Sequence, residues 1–476
     1  MNSQLETVID QWINKVRDEY VADVIAAVNI PSVSSEAEGK FTFGKDCARM
    51  LDHMEEVAQK YNFSFTNHEY YCGTSLFEGT EGKHEIGLFS HLDVVPAGEG
   101  WATDPFSAFE RDGYIVGRGS NDNKGSAFAC VYAMRFLQEQ GIRLKNNLRL
   151  LYGCNEEAGM EDVKYYLRTY GAPTYTLVAD SWFPVSGSEK GRYVLAIDMS
   201  FTSSNLVKFF TPGTGSSIPN KCLAVLSGVD AKQLEALVAK TSDITCAPVE
   251  NGVEITAYGA GNHPAFPEGS INAVKVMLDF LLENEFVEGD ILQPLSLIRQ
   301  TLTDYYGYGI NAHFEDDFAG STTHVLTQIE LTGHELKTEY VIAYPAAPSV
   351  DKDQVLSQTL ETFNKPWIKV ECTHSWDPHF VDLQHPIVEI LTKTASHIHN
   401  YDMKPFAMAG GTYTWVTPNS FAAGPNVHHL PQTLYTEPGH GFPHQPDECM
   451  RIDVWLKGIK IYILALLEID EWLSAQ

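Results

Sequence analysis

Three apolar runs, each leading into histidine or acidic residues, constrain this chain more than any other feature. Ile86–Phe89 leads to His91 and Asp93, Leu148–Gly153 to Glu156 and Glu157, and Tyr175–Ala179 to Asp180. Short continuous apolar runs of this kind read as buried parallel strands. Alternating with helical patterns, they imply an α/β fold with a mixed, mostly parallel sheet flanked by helices. Open sheets of that class place their sites just beyond the carboxyl ends of the strands, where these polar residues fall. Taken singly, an HxD triplet or a pair of glutamates reads as a surface loop, a helix cap or a solvated face. Independent caps do not recur at the ends of three successive apolar strands, so the set reads as functional.

The residue types point to a chemistry. Two positions apart on an extended segment, His91 and Asp93 point to the same side, so the aspartate can hold the imidazole in one tautomer. Pro96 then breaks the strand and opens a loop. Adjacent Glu156 and Glu157 diverge, so one carboxylate can bind metal while the other faces water as a base. Asp122, within Gly117–Gly125, and His444, within His444–Glu448, extend the set. Imidazole nitrogens and carboxylate oxygens without cysteine suit a pair of divalent ions, most often zinc. Two such ions can hold a water as hydroxide near neutral pH and polarise a carbonyl together, which is the chemistry of amide hydrolysis.

Organisation along the chain is consistent with this. Helical periodicity covers Leu5–Ala27, Lys45–Tyr61 and Lys124–Gln140, the last ended by Gly141. From about residue 188 the character changes. An alternating strand at Arg192–Ser200 precedes a Pro/Gly-rich stretch at Thr211–Pro219, a helix at Asn272–Asn284, and strands near Val325–Leu331 and Lys337–Ala343. A chain of 476 residues can bury more than one core, so two domains are expected. A formal charge of −29 argues against a nucleic-acid surface, which wants a basic patch. The eight cysteines are scattered without a CxxC pair, as in a reducing cytoplasm. The amino terminus lacks the basic and apolar regions of a signal peptide. No apolar run approaches the ~20 residues of a membrane span.

The longer blocks resemble a known family. His91–Trp101, Asp104–Phe106, Asp112-Gly113, Gly117–Gly125, Gly153–Glu157 and Asp180–Val185 stand in the order found in M20 metallopeptidases, and most closely in the dipeptidase V branch. The resemblance runs from Ile30 to His444 and beyond. It implies a zinc-peptidase catalytic domain at 1–187 and 382–476, with an enlarged α+β lid domain inserted at 188–381. It also implies two zinc ions, with manganese or cobalt as substitutes. His91 and Asp180 would hold one ion, Glu157 and His444 the other, and Asp122 both. His440 competes for the last ligand position, though the sequence around His444 favours His444. Asp93 would orient His91, Glu156 would be the general base, and His263 would stabilise the oxyanion from the lid. A cis peptide is expected at Asp122-Asn123. The enlarged lid implies a monomer acting on small peptides, above all dipeptides. The alternatives are an amidohydrolase of N-acyl amino acids or carboxyl-blocked peptides, and a catalytically weak metal-binding homologue. The chain departs from the branch at Ser216, where relatives carry asparagine, and at Ala343 and Trp415, where they carry arginines.

Overall fold

The computed structural model describes residues 3–213, 215, 217–262, 264–265, 267–437 and 439–476. Two compact units divide the chain. One comprises Met1–Gly187, Val381–Phe406 and Thr412–Gln476, the other Ser188–Phe380 and Ala407–Gly411.

The first unit is built on a six-stranded sheet of β1 (Thr66–His68), β2 (Cys72–Phe77), β3 (Glu85–His91), β4 (Asn147–Gly153), β5 (Tyr175–Val178) and β6 (Ser420–Ala422). The strand order is β1-β2-β4-β3-β5-β6. The pairs β4·β3, β3·β5 and β5·β6 are parallel, and β1·β2 and β2·β4 are antiparallel. The three apolar runs of the sequence are therefore the three adjacent central strands. Their side chains alternate between faces, as a period of two requires. Ile86, Leu88, Leu148 and Leu150 enter one core with helices α1 (Ser3–Val28), α2 (Gly44–Lys60) and α3 (Gly125–Glu139). Phe89, Leu151 and Val178 enter another with Val163 and Tyr166 of α4 (Glu161–Tyr170). The first core also takes α5 (Pro386–His399) and α6 (Ile452–Ser474). Burial on both faces explains why these runs are continuously apolar.

Register sets the site. His91 is level with Gly153 of β4, and Phe89 with Val178 of β5. The three strands thus end together, and the polar residues that follow them emerge at one edge.

The second unit holds an eight-stranded sheet whose neighbouring strands are antiparallel. Its centre is Thr323–Thr332, Glu335–Tyr344 and Gly191–Ser200. Helix Ala273–Glu283 is capped by the Asn272 side chain, which accepts from the Val274 N–H. That is the N-cap arrangement that satisfies a first-turn amide. Leu195, Ile197, Met277, Leu281 and Leu326 share its separate apolar core.

Candidate metal centre

Asp122 is at the middle of the arrangement. It lies in a single turn, Ser120–Lys124, whose backbone leaves helical geometry at Asp122 and Asn123 before α3 begins. The peptide Asp122-Asn123 is cis, as the sequence resemblance implies. Its two carboxylate oxygens diverge. Oδ1 is 3.1 Å from His91 Nε2, and Oδ2 is 3.1 Å from His444 Nε2. Asp180 Oδ2 approaches His91 Nε2 at 3.6 Å, and Glu157 Oε1 lies 3.1 Å from His444 Nε2. Ligand-type atoms of His91, Asp122 and Glu157 all lie within 4.8 Å of one another, as do those of His91, Glu156 and Asp180. The glutamates thus divide as their adjacency requires, one toward each side of Asp122.

Asp93 is fully buried, and its contacts differ from simple support of an imidazole. His91 Nδ1 lies 3.0 Å from the Asp93 main-chain carbonyl and 3.4 Å from its carboxylate. The carboxylate oxygens instead accept the N–H groups of Glu156 and Glu157, each at 3.1 Å. Asp93 therefore ties the end of β3 to the turn that carries both glutamates.

A second carboxylate, which no sequence motif marked, supports the same turn. Buried Asp162 accepts the N–H groups of Cys154 and Asn155 at 2.6 and 2.7 Å, and the Tyr413 hydroxyl at 2.5 Å. Gly153 is required there, because a Cβ would overlap that hydroxyl. Asp162 reads in the sequence as an ordinary acidic residue in the first turn of α4, so nothing local announces its role.

Crowded charge dominates the electrostatics. Burial raises the Glu156 carboxyl well above the ordinary range; His91 opposes that rise, and Asp180, Glu157 and Asp93 add to it. Burial works against the His91 cation, but the carboxylates of Asp180, Asp122 and Asp93 lift it well above the usual histidine range. His444 is raised in the same sense by Glu157 and Asp122. Glu156 Oε1 is buried without a hydrogen-bond partner among the described residues.

Other candidates separate cleanly. His440 Nδ1 is 2.7 Å from Asp447 Oδ2, so its imidazole is engaged away from Asp122 while His444 reaches it. His263 and Ser216 lie outside the described residues. Trp415 packs against the aromatic and aliphatic cluster around Phe89 and Tyr413. Ala343 is a buried position of the second unit's sheet, directly across from Arg192.

The sequence profile described as Peptidase family M20/M25/M40 matches residues 87–468. The chain is similar to the protein YtjP of Bacillus subtilis (strain 168), with 26% identity over 486 residues covering 98% of this chain and 100% of that one. It is also similar to a Beta-Ala-Xaa dipeptidase of Lactobacillus delbrueckii subsp. lactis, with 25% identity over 471 residues covering 96% and 97%. Among solved structures it resembles human carnosine dipeptidase 1, with a TM-score of 0.61 at 15% identity, over 98% of this chain and 99% of that one. At that identity the likeness shows the fold.

Proposed function

Because this chain belongs to peptidase family M20/M25/M40, we propose that it is a metallo-dipeptidase whose site is the cluster around Asp122. The observation that carries this reading is the division of the Asp122 carboxylate, one oxygen toward His91 and the other toward His444. A lone structural ion pair needs no such symmetry, whereas two cations flanking one carboxylate do. The donor set also fits: two imidazoles face Asp122, Glu156, Glu157 and Asp180, an excess of negative charge that cations would neutralise.

Asp122 would bridge two divalent ions, with His91 and Asp180 completing one site and Glu157 and His444 the other. Zinc is the ion such a set suits, with manganese or cobalt as substitutes. Bound there, the pair supplies polarisation of the scissile carbonyl and activation of water. Glu156 has a buried oxygen that no described residue engages. It accepts the proton of the attacking water and returns it to the departing amine. Asp93 keeps His91 and the glutamate turn in fixed relation. His263, which lies outside the described residues, is the side chain we assign to the oxyanion.

The substrates we assign are dipeptides and similarly small peptides. The dipeptidase named among the relatives and the enlarged inserted unit both support that choice. No helix of the described residues is long and apolar enough to cross a membrane. The eight cysteines are free thiols, which supports a cytoplasmic setting. The large insert supports a monomer. A panel of dipeptides and N-acyl amino acids, assayed with added zinc, manganese or cobalt, tests the assignment. Dipeptides should be hydrolysed and acyl amino acids spared. Cleavage of acyl amino acids alone would overturn it.

A further inference from the structure

The segment that carries His444 also carries Glu448, a fully buried carboxylate with no part in the chemistry above. One of its oxygens accepts three main-chain N–H groups, from Gly119 at 3.1 Å and from Asn121 and Asp122 at 3.0 Å each. The other accepts Arg118 Nη1 at 2.6 Å. Its main-chain carbonyl takes the Gly117 N–H at 2.9 Å. Gly119 adopts φ 87°, a left-handed value that an L side chain resists, and this bends the loop so that its amides converge. Converging amides of this kind form an anion-binding concavity. Here the anion comes from the chain itself.

Two facts make this more than a buried ion pair. The Asp122 amide is one of the three donors, so the peptide that bears the bridging carboxylate is fixed by Glu448. His444 lies four residues before Glu448 on the same segment, so one carboxylate joins the carriers of two ligands. Arg118 extends the join, because its Nη2 donates to the Ala97 carbonyl at 3.2 Å in the segment that follows His91 and Asp93. The loop 117–124 is thus clamped between the two segments whose histidines flank Asp122.

We propose that Glu448 is a positioning residue for the metal centre: its carboxylate, held by Arg118, sets the peptide of Asp122 so that one oxygen faces His91 and the other His444. The proposal rests on the dinuclear reading of the site. Groups that orient ligands in this way typically change metal affinity by about 10–100-fold when removed.

The test is calorimetric titration of zinc into chelator-stripped protein, with thermal unfolding of each variant alongside. Glu448→Gln keeps the shape but removes the charge and turns an amide N–H₂ toward Arg118. The double variant Arg118→Gln with Glu448→Gln leaves no lone buried cation, so it guards against misfolding of the first. Asp470→Asn is the control. Asp470 is another buried carboxylate that accepts consecutive amides, Lys145 N–H and Asn146 N–H, but at the opposite end of β4 from the site. Both Glu448 variants should bind zinc at least tenfold more weakly at temperatures where they are folded. Asp470→Asn should lose thermal stability and bind as the wild type does. Wild-type affinity in a folded Glu448 variant would overturn the proposal, and so would equal weakening in Asp470→Asn. Failure of both Glu448 variants to fold would also overturn it, since the carboxylate would then be a requirement of the fold. If the wild type itself does not bind two ions, it is the dinuclear reading that fails.

Discussion

Glu156 shows how one residue type takes different work from its surroundings. Its neighbour Glu157 meets His444 at 3.1 Å, whereas Glu156 Oε1 is buried without a described partner. Adjacency in the sequence predicted that the two would diverge; the surroundings assign which way. Glu156→Ala should therefore leave metal stoichiometry unchanged and lower turnover by ~10²–10⁴-fold. Metal analysis and kcat measured on the same preparation check this, and near-normal turnover would remove Glu156 from the proton path. At this scale much was legible. His91, Asp122, Glu157, Asp180 and His444 stand out as imidazole or carboxylate at strand ends and in glycine-flanked loops. The destination of the Asp93 carboxylate was not legible, because it depends on the register of two parallel strands. Glu448 was hidden for a similar reason: its partners are more than 320 positions away in the chain.

At the scale of elements, the turn from Cys154 to Glu157 is held by two carboxylates from different directions. Asp93 takes the amides of Glu156 and Glu157, and Asp162 takes those of Cys154 and Asn155. Tyr413 reaches Asp162 from a short 3₁₀ turn, Tyr413–Trp415. Tyr413→Phe keeps the ring and removes the hydroxyl, leaving Asp162 one donor short. It should cost about 1–2 kcal/mol of stability, read as a shift in urea midpoint, and should lower kcat more than it changes KM. An unchanged kcat would mean that Asp93 alone holds the turn. The elements read from periodicity are present with bounds moved only slightly: Lys124–Gln140 becomes Gly125–Glu139, and Val325–Leu331 becomes Thr323–Thr332, whereas helices Glu161–Tyr170, Pro386–His399 and Ile452–Ser474 were not read from the sequence. The single turn at Ser120–Lys124 had no such signal. Its amides at Asn121 and Asp122 are taken by Glu448, a partner remote in the sequence.

Across the whole molecule, pH and substrate charge give two further expectations. Burial holds His68, His324 and His399 near a pKa of about 4, so each stays neutral in the folded chain well below the ordinary histidine range. At these three positions the unfolded chain takes up protons from about pH 6.5 downward while the folded chain does not, so their contribution to stability falls as pH drops through that window. Each histidine contributes about 1–2 kcal/mol to the loss between pH 7 and 5. His68→Gln should therefore make the change in urea midpoint between the two pH values less unfavourable than in the wild type, and an identical change in both proteins would contradict this. The second expectation follows from Ala343 and Trp415, which cannot supply the planar charged fork that arginine offers a carboxylate. Turnover of a dipeptide and of its carboxyl-terminal amide should differ by less than about tenfold, the ratio expected from one lost charged bond. A large free-acid preference would mean that another cation anchors the carboxylate.

If Asp122 joins two metal sites, anomalous diffraction from crystals grown with excess zinc will show both. Two peaks about 3.5–4 Å apart are expected, one beside His91 and Asp180, the other beside Glu157 and His444, with an Asp122 oxygen on each. A single peak, or a pair that leaves Asp122 uncoordinated, would contradict it.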